Sequence, residues 1–385
     1  IMKKKKLGVI FGGMSTENEV SVVSANSILN NLDKDKYEIY PIYIGKDGTW
    51  YEYSKKSDDI QLGQEVEHGI EIENVMKYLK GLDVIFPVLH GLYGEDGTIQ
   101  GLFELLKIPY VGCKVLASSV GMDKVYTKII FEKAALKQAK YVYIRKYQEK
   151  YINIDSEFNE KIMTLDETAS NIEKDLKYPV FIKPSNSGSS VGINKATNIE
   201  ELKKYIEYAS KFDGKILIEQ GIVGKEVECA VLGNEEVIAS CVGEIKAADE
   251  FYSYDAKYKN QESKTCIPAD IPENVSEEIR KQAIKAFKAI DGKGLSRVDF
   301  FVEEGTNQIY INEINTLPGF TNISMYPKLF EASGISYREL LDKLIMLAWN
   351  GDGPICTKKC KRDRCNKNRK NPYKTMDFFL IYDIM

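Results

Sequence analysis

Short apolar runs alternate with amphipathic stretches over the first hundred residues. Residues 7–11 form an apolar run that ends at Gly12 and Gly13, and after an N-cap-like Ser15, residues 19–29 carry apolar side chains at helical spacing. Residues 37–44 and 84–89 have the composition of two further strands. This alternation predicts a parallel sheet covered by helices, an N-terminal α/β domain of residues 1–112.

The rest of the globular part predicts two α+β domains, residues 113–218 and 219–350. Helical patterns cover residues 118–137, 276–290 and 336–349, and strand patterns cover 179–183, 216–220 and 226–232. Residues 246–266 are polar and rich in tyrosine, and their apolar residues show neither the helical nor the strand periodicity. We expect this stretch to be a lid, because long aperiodic segments in compact domains are usually functional.

The composition is that of a globular chain, with 385 residues of which 43% are hydrophobic. The net charge of -4 hides an asymmetry, because residues 354–374 carry six Lys, three Arg and one Asp, or +8, and leave -12 elsewhere. An acidic globular part argues against nucleic acid as a partner. Residues 351–385 are expected to be a disordered basic tail, since Cys356, Cys360 and Cys365 lack a fourth zinc ligand.

The sequence predicts neither a membrane span nor a processed leader. A lysine run at 3–6 is followed by apolar residues, but these stop at Gly12 and no cleavage site follows. No other segment approaches the length of a span. Seven cysteines without a CxxC pair fit a reducing compartment, so we expect a cytoplasmic protein.

A glycine- and serine-rich segment at 183–192 has the character of a phosphate-binding loop. Small residues let the backbone approach a polyanion with its N–H groups and hydroxyls, and Lys183 adds a positive charge. Such loops are common in proteins, and this one alone would not establish nucleotide chemistry.

Oxygen ligands for a hard cation follow about a hundred residues later. Glu313 and Asn315 are two residues apart in a strand-like run and so point to the same face of a sheet. Asp299 ends another such run. Two carboxylates and an amide oxygen on adjacent strands would suit Mg²⁺ held jointly with nucleotide phosphates.

Six blocks of sequence together resemble the ATP-grasp ligases, and among them the D-alanine:D-alanine ligases, from about residue 7 to residue 349. The blocks are residues 12–21, 89–91 with 94–97, 122–124, the loop at 183–192, 254–258, and 297–299 with 312–319. The resemblance implies an ATP-grasp fold whose second and third domains clamp ATP. It also implies a reaction in which ATP phosphorylates one D-alanine and the amine of a second displaces phosphate.

The resemblance assigns a nucleotide site with two Mg²⁺ ions, which Mn²⁺ can replace. Its ATP-binding residues are Lys124, Lys183, Ser189, Ser190, Glu219, Gln220, Ile222, Glu226 and Lys257, and its metal ligands are Asp299, Glu313 and Asn315. Lys257 would cap the γ-phosphate when the lid closes. Gln220 departs from the lysine often found at this position. The alternative for Glu219 and Glu226 is that both are solvated strand ends.

The resemblance also assigns the catalytic groups. Glu17 matches the carboxylate that anchors the first substrate's ammonium group, and with Ser189 and Tyr258 it would form a hydrogen-bonded triad. Arg297 and the backbone N–H of Gly319 match the donors to the tetrahedral oxyanion. A lone Glu at the start of a helix would otherwise be only a favourable partner of the helix dipole.

The resemblance also bears on the second substrate. Family members that join D-alanine to D-lactate or D-serine confer vancomycin resistance, but residues 246–266 lack the histidine shared by the D-lactate enzymes. His90 and Ser324 match pocket residues, and Met325 offers an apolar wall that favours D-alanine over D-serine. Asn322 and Ile323 replace the usual Ser-His pair, so D-serine stays open.

Two readings from other classes remain. One is an inactive ATP-binding regulatory protein, because fold alone does not establish activity. The other is a different ATP-grasp carboxylate-amine ligase, against which Glu17, His90 and the 254–258 block argue. By the resemblance we expect a homodimer that acts on small molecules.

Overall fold

The computed structural model describes residues 4–53, 69–188, 191–246 and 264–350. Three sheets lie within one compact unit, Ile1–Gly353. In the described ranges no helix is long and apolar enough to cross a membrane. The lid residues Lys257 and Tyr258, the loop residues Ser189 and Ser190, and the tail lie outside these ranges.

The first sheet contains five strands in the order β4-β3-β2-β1-β5. They are β1 (Lys5–Gly12), β2 (Tyr37–Ile44), β3 (Trp50–Glu52), β4 (Ile70–Glu71) and β5 (Val84–Pro87). The central strand β1 is parallel to β2 and to β5, as predicted, but β2-β3 and β3-β4 are antiparallel. The sheet is therefore mixed, because a tight turn in which Gly45 N donates to Thr49 O leads β2 directly into β3.

Three helices accompany this sheet: α1 (Asn18–Asn31), α2 (Val75–Leu79) and α3 (Thr98–Leu106). The prediction that Ser15 caps α1 was wrong, since Glu17 occupies the N-cap position. Ser15 Oγ instead donates to His90 O at 2.6 Å. Gly12 and Gly13 form the turn before α1 with φ of 90° and 96°, and a Cβ at Gly12 would lie 2.3 Å from Ile44 O.

The second sheet is antiparallel, with the order β10-β9-β11-β6-β7-β8. Its strands are β6 (Tyr141–Tyr147), β7 (Lys150–Ile154), β8 (Glu160–Met163), β9 (Val180–Pro184), β10 (Asn194–Ala196) and β11 (Lys215–Gln220). Helices α6 (Leu165–Asp175) and α7 (Ile199–Ala209) pack on this sheet, whereas α4 (Val115–Met122) and α5 (Lys124–Lys133) contribute to the core of the third sheet. The helix predicted at 118–137 is divided at Asp123, whose side chain accepts hydrogen bonds from Val125 N and Tyr126 N and so caps α5.

The third sheet is also antiparallel, with the order β14-β13-β12-β15-β16. Its strands are β12 (Gly224–Gly233), β13 (Val237–Lys246), β14 (Lys264–Cys266), β15 (Gly294–Glu303) and β16 (Ile309–Asn315). Helix α8 (Glu273–Ala289) lies between β14 and β15 in the chain, and α9 (Met325–Ala332) and α10 (Tyr337–Asn350) follow β16. Val298 and Phe300 pack into the core against α8, so Arg297 and Asp299 face the other side.

The domain boundaries at 112 and 218 stay predictions. Residue 218 lies within β11, which ends at Gln220. The strands that the sequence did not predict, such as β7, β8 and β13, occupy long intervals between the recognised motifs.

Candidate active site

The glycine-serine loop between β9 and β10 is anchored to two other segments. Ser185 Oγ donates to Asp123 Oδ1 at 2.7 Å, and Lys124 Nζ donates to Ser187 O at 2.7 Å. Asn186 N donates to Asp213 Oδ2 at 2.8 Å. Lys124, at the start of α5, therefore lies at the glycine-serine loop, and its contact with ATP stays a prediction.

Behind the loop, Glu219 is buried between two lysines. Lys183 on β9 forms an ion pair with Glu219 Oε1. Lys128 Nζ on α5 lies 2.9 Å from Glu219 Oε2 and forms a second ion pair, although the angles at this contact are not those of a hydrogen bond. The three side chains are 12%, 3% and 6% exposed for Lys183, Lys128 and Glu219. Burial alone would raise the pKa of Glu219, but the two ammonium groups outweigh it and lower the pKa to about 2. Glu219 is thus not a solvated strand end.

Lys128 was missed by the sequence analysis. Its signal was present, because it follows Lys124 by four residues and so lies on the same face of a helix. Lys124, Lys128, Lys183 and Glu219 line one small cavity together with Glu313. Burial lowers the pKa of Lys183, whereas Glu219 and then Glu313 raise it, and the net pKa lies above its ordinary value.

The other predicted nucleotide residues follow at the end of β11. Gln220 Oε1 accepts a hydrogen bond from Lys177 N at 3.3 Å, and Gln220 N donates to Lys140 O at 2.9 Å. Ile222 lies in the link to β12, and Glu226 lies on β12, close enough to raise the pKa of Lys183 further. Their contacts with a nucleotide stay predictions.

A row of carboxylates crosses the third sheet. Glu228 on β12 is paired in register with Asp299 on β15, which is paired with Glu313 on β16. Asp299 lies within its strand, not at its end as expected. Glu228 was missed, because the pairing of β12 with β15 cannot be read from the sequence. Arg297 donates from Nε to Asp299 Oδ1 at 2.7 Å and from Nη2 to Oδ2 at 2.6 Å, and its Nε lies 3.2 Å from Glu228 Oε2.

These groups fit a hard cation shared with phosphates. Asp299 and Glu313 are neighbours on one face, and Asn315, opposite Arg297, accepts a hydrogen bond from Leu317 N with Oδ1 at 3.1 Å. Within the described ranges no three His, Cys, Asp or Glu side chains are arranged to hold a metal by themselves. Mg²⁺ commonly binds through one or two carboxylates and takes its other ligands from water and substrate phosphates.

A cavity of about 140 Å³ brings together most of the predicted substrate residues. Its lining includes Glu17, His90, Arg297, Asn315, Gly319, Ser324 and Met325 from the predicted set, with Glu95, Glu228 and Thr321 in addition. The lining comes from segments more than two hundred residues apart in the chain.

The carboxylate of Glu17 is held between two glycines. A Cβ at Gly91 would lie 2.5 Å from Glu17 Oε2, and a Cβ at Gly188 would lie 2.6 Å from the same atom. The start of α1, the segment after β5 and the phosphate loop therefore meet at one carboxylate. A side chain at either glycine would displace it.

Both ring nitrogens of His90 contact the protein. Nε2 lies 3.1 Å from Ser24 Oγ, and Nδ1 lies 3.2 Å from Leu317 O and 3.6 Å from Glu95 Oε1. Burial lowers the pKa of His90, but the interaction with Glu95 leads the effects that raise it, and the net pKa is above its ordinary value. The ring therefore connects the segment after β5 to the segment that carries Gly319.

The segment before α9 forms the opposite wall of the cavity. Ser324 Oγ accepts a hydrogen bond from Thr321 N at 3.0 Å and lies 2.7 Å from Thr321 Oγ1. A Cβ at Gly319 would lie 2.8 Å from Ser324 Oγ. Met325 is buried, and its Cε is in contact with Gly243 on β13. Met325 thus lines the cavity, and its predicted role as an apolar wall for the second substrate stays a prediction.

Comparison with known proteins supplies the family. A family model described as D-ala D-ala ligase N-terminus matches residues 6–113, and one described as D-ala D-ala ligase C-terminus matches residues 147–346. The chain belongs to the D-alanine:D-alanine ligase family. The resemblance inferred from the sequence is confirmed.

Curated members of this family share about half of their residues with the chain. The D-alanine--D-alanine ligase of Acetivibrio thermocellus is 51% identical over 372 residues, covering 90% of this chain and 96% of that protein. The D-alanine--D-alanine ligase of Clostridium novyi is 50% identical over 352 residues, covering 91% and 99%.

Solved structures of the family are also similar. The VanG D-Ala:D-Ser ligase from Enterococcus faecalis has a TM-score of 0.78 at 37% identity, covering 90% of this chain and 100% of that chain. The D-alanine-D-alanine ligase from Coxiella burnetii has a TM-score of 0.74 at 33% identity, covering 90% and 94%. These neighbours confirm the predicted mixed α/β architecture of the ATP-grasp class.

Proposed function

We propose that the chain is an ATP-dependent ligase that joins D-alanine to a second D-alanine through a D-alanyl phosphate. The observation that carries the proposal is the cavity in which Glu17, Arg297 and the Gly319 backbone meet beside the phosphate loop. An acyl transfer needs an anchor for the acyl donor and donors aimed at the developing oxyanion, and these residues supply both.

The reaction has two balanced steps. A carboxylate oxygen of the first D-alanine attacks the γ-phosphorus of ATP, and ADP leaves. The amine of the second D-alanine then attacks the carbonyl carbon, loses a proton, and displaces phosphate. Glu17 holds the first ammonium group, and Arg297 and Gly319 N–H stabilise the tetrahedral oxyanion. Ser189 and Tyr258 would complete the triad with Glu17.

The nucleotide would lie between the second and third sheets, beside the buried lysines. Lys124 and Lys183 bind phosphate oxygens, together with Ser189 and Ser190 in the loop and Lys257 in the lid. Glu219, Gln220 and Ile222 contact the adenine, and Glu226 contacts the ribose.

Asp299, Glu313 and Asn315 would hold Mg²⁺, or Mn²⁺ in its place, as a pair of ions. The ions would supply charge neutralisation between the phosphates and the attacking carboxylate. The row of carboxylates across β12, β15 and β16 supports this assignment. Arg297 already neutralises part of the negative charge of this carboxylate row through its two hydrogen bonds to Asp299.

His90, Ser324 and Met325 would shape the subsite for the second substrate. The buried, apolar Met325 favours D-alanine, because a serine hydroxyl needs a fixed polar partner there. D-Serine is the second candidate, and the likeness to the VanG D-Ala:D-Ser ligase favours it together with the Thr321 hydroxyl in the cavity wall. An inactive nucleotide-binding role is disfavoured by the retained set of charged groups. A cytoplasmic location is part of the proposal, since ATP and free D-amino acids are the substrates, and a homodimer is part of it by the family resemblance.

Product analysis tests the proposal. The protein is incubated with ATP, Mg²⁺ and D-alanine, then with D-serine or D-lactate added, and products are identified by mass. We expect D-Ala-D-Ala and ADP from D-alanine alone, with Glu17→Gln as a matched variant that loses the product. Preferential formation of D-Ala-D-Ser would reverse the assignment of the second substrate. Failure to form a ligated product with any of the three acceptors would contradict ligase activity.

A further inference from the structure

Ser24 on α1 lies behind the substrate cavity and connects two of its walls. Its side chain has no exposed surface, and it is absent from the described lining of the cavity, which includes His90 and Gly319. Ser24 Oγ nevertheless lies 3.1 Å from His90 Nε2 and accepts a hydrogen bond from Phe320 N at 3.2 Å. It therefore reaches both the ring that lines the cavity and the residue after Gly319.

The hydrogen bonds around Ser24 favour one set of hydrogen positions when the His90 ring is neutral. A backbone N–H can only donate, so Ser24 Oγ is the acceptor for Phe320 N. The single hydroxyl proton of Ser24 is then available for His90 Nε2, which makes Nε2 an acceptor in the neutral ring. In the neutral ring the proton then lies on Nδ1, where Leu317 O accepts it at 3.2 Å and the Glu95 carboxylate lies 3.6 Å away.

The opposite tautomer would leave polar groups unsatisfied. With the proton on Nε2, the Nδ1 lone pair would face Leu317 O and the Glu95 carboxylate, and the Ser24 hydroxyl proton would have no acceptor among its described contacts. Both losses would fall on groups that are buried, where an unmade hydrogen bond is costly.

We propose that Ser24 is a positioning residue for the ligase reaction, which makes this inference rest on the proposed function. Ser24 holds His90 as the Nδ1–H tautomer. It also attaches both ends of the segment 317–320 to α1: Phe320 N donates to Ser24 directly, and Leu317 O is linked to Ser24 through the His90 ring. Gly319, the oxyanion donor, lies between these two attachments. His90, with both nitrogens engaged, meets the substrate through its ring carbons and is not a proton-transfer group.

The tautomer can be measured without any assay of activity. The chain has only two histidines, His68 and His90, so ¹⁵N-histidine labelling gives two rings, and a His68→Gln variant assigns them. Above the pH at which the ring resonances stop shifting, where the ring is neutral, we expect His90 Nδ1 to be protonated and Nε2 to be a hydrogen-bonded, unprotonated nitrogen. A protonated Nε2 in the wild type overturns the proposal, whether or not the protein is an active ligase.

Ser24→Ala tests the consequence for catalysis. Loss of this buried hydroxyl should shift the Nε2 resonance to that of a nitrogen without a hydrogen bond and lower kcat by about tenfold to a hundredfold. The KM for ATP should not change. Ser27→Ala is the matched control, because Ser27 lies one turn further along α1 and its hydroxyl donates to Asn322 Oδ1 at 3.3 Å, not to His90 or Phe320. An unchanged kcat and an unchanged Nε2 resonance in Ser24→Ala contradict the positioning role.

Discussion

The buried cluster of Lys128, Glu219 and Lys183 gives a prediction about stability and pH. Glu219→Gln keeps the shape of the side chain but leaves two buried ammonium groups without their shared counter-charge. Removing one partner of a buried ion pair costs roughly 3–5 kcal/mol, so we expect a loss of that order at pH 7. Lys128→Met should cost less, about 2 kcal/mol, because the pair between Lys183 and Glu219 remains.

The dependence on pH follows from the lowered pKa of Glu219. Its ordinary value of 4.5 falls to about 2 in the folded protein, so the ionised form stabilises the fold above pH 4.5. The contribution, about 3 kcal/mol, is lost as the pH falls from 4.5 towards 2. Glu219→Gln lacks this group, so its stability deficit relative to the wild type should shrink by about 2 kcal/mol between about pH 5 and pH 3.

Urea unfolding at pH 3, 5 and 7, followed by far-UV circular dichroism, measures these differences. Glu207→Gln is the matched control, since Glu207 is exposed on α7 beside the same sheet. We expect it to change the unfolding free energy by less than about 0.5 kcal/mol. A deficit for Glu219→Gln that is small at pH 7, or that stays constant as the pH falls, refutes the buried ion-pair cluster.

Three further substitutions test the site. Glu313→Gln should lower kcat more than about a hundredfold, on the order of 3 kcal/mol of transition-state stabilisation, and a near-normal rate would exclude Glu313 as a metal ligand. Met325→Arg should raise the D-Ser over D-Ala ratio in kcat/KM by roughly tenfold to a hundredfold in competition assays, and an unchanged ratio would place residue 325 outside the second subsite. Gly188→Ala puts a Cβ 2.6 Å from Glu17 Oε2, and we expect the KM for the first D-alanine to rise about tenfold while ATP binding persists, which calorimetry can check.

Periodicity and turn chemistry predicted the elements that frame the motifs. The strand at 37–44 has the predicted bounds, β1 and β9 differ from prediction by one or two residues at each end, and β11 differs by one residue at its start only. Helix α1 begins at Asn18 and not after Ser15, whose hydroxyl lies in the turn before the helix, accepting from Glu17 N at 3.2 Å and donating to His90 O. Periodicity and turn residues could be used in this way because they involve residues that are close together in the sequence.

Long-range pairing could not be predicted in the same way. Glu228 lies beside Asp299 only because β12 pairs with β15. Lys128 lies beside Glu219 only because α5 lies against β11. The role of Ser24 depends on a contact with Phe320, 296 residues away. Residue types and spacing give the chemistry of single segments, whereas tertiary register decides which segments share a site.

Oxygen transfer from substrate to phosphate tests the central claim most directly. D-Alanine labelled with ¹⁸O in both carboxylate oxygens is supplied with unlabelled ATP and Mg²⁺, and the released phosphate and the dipeptide are analysed by mass. Attack of the carboxylate on the γ-phosphorus, followed by displacement by an amine, predicts one ¹⁸O in each phosphate for every D-Ala-D-Ala formed. Dipeptide formed with unlabelled phosphate, or phosphate released without label and without dipeptide, would contradict a D-alanyl phosphate made by this site.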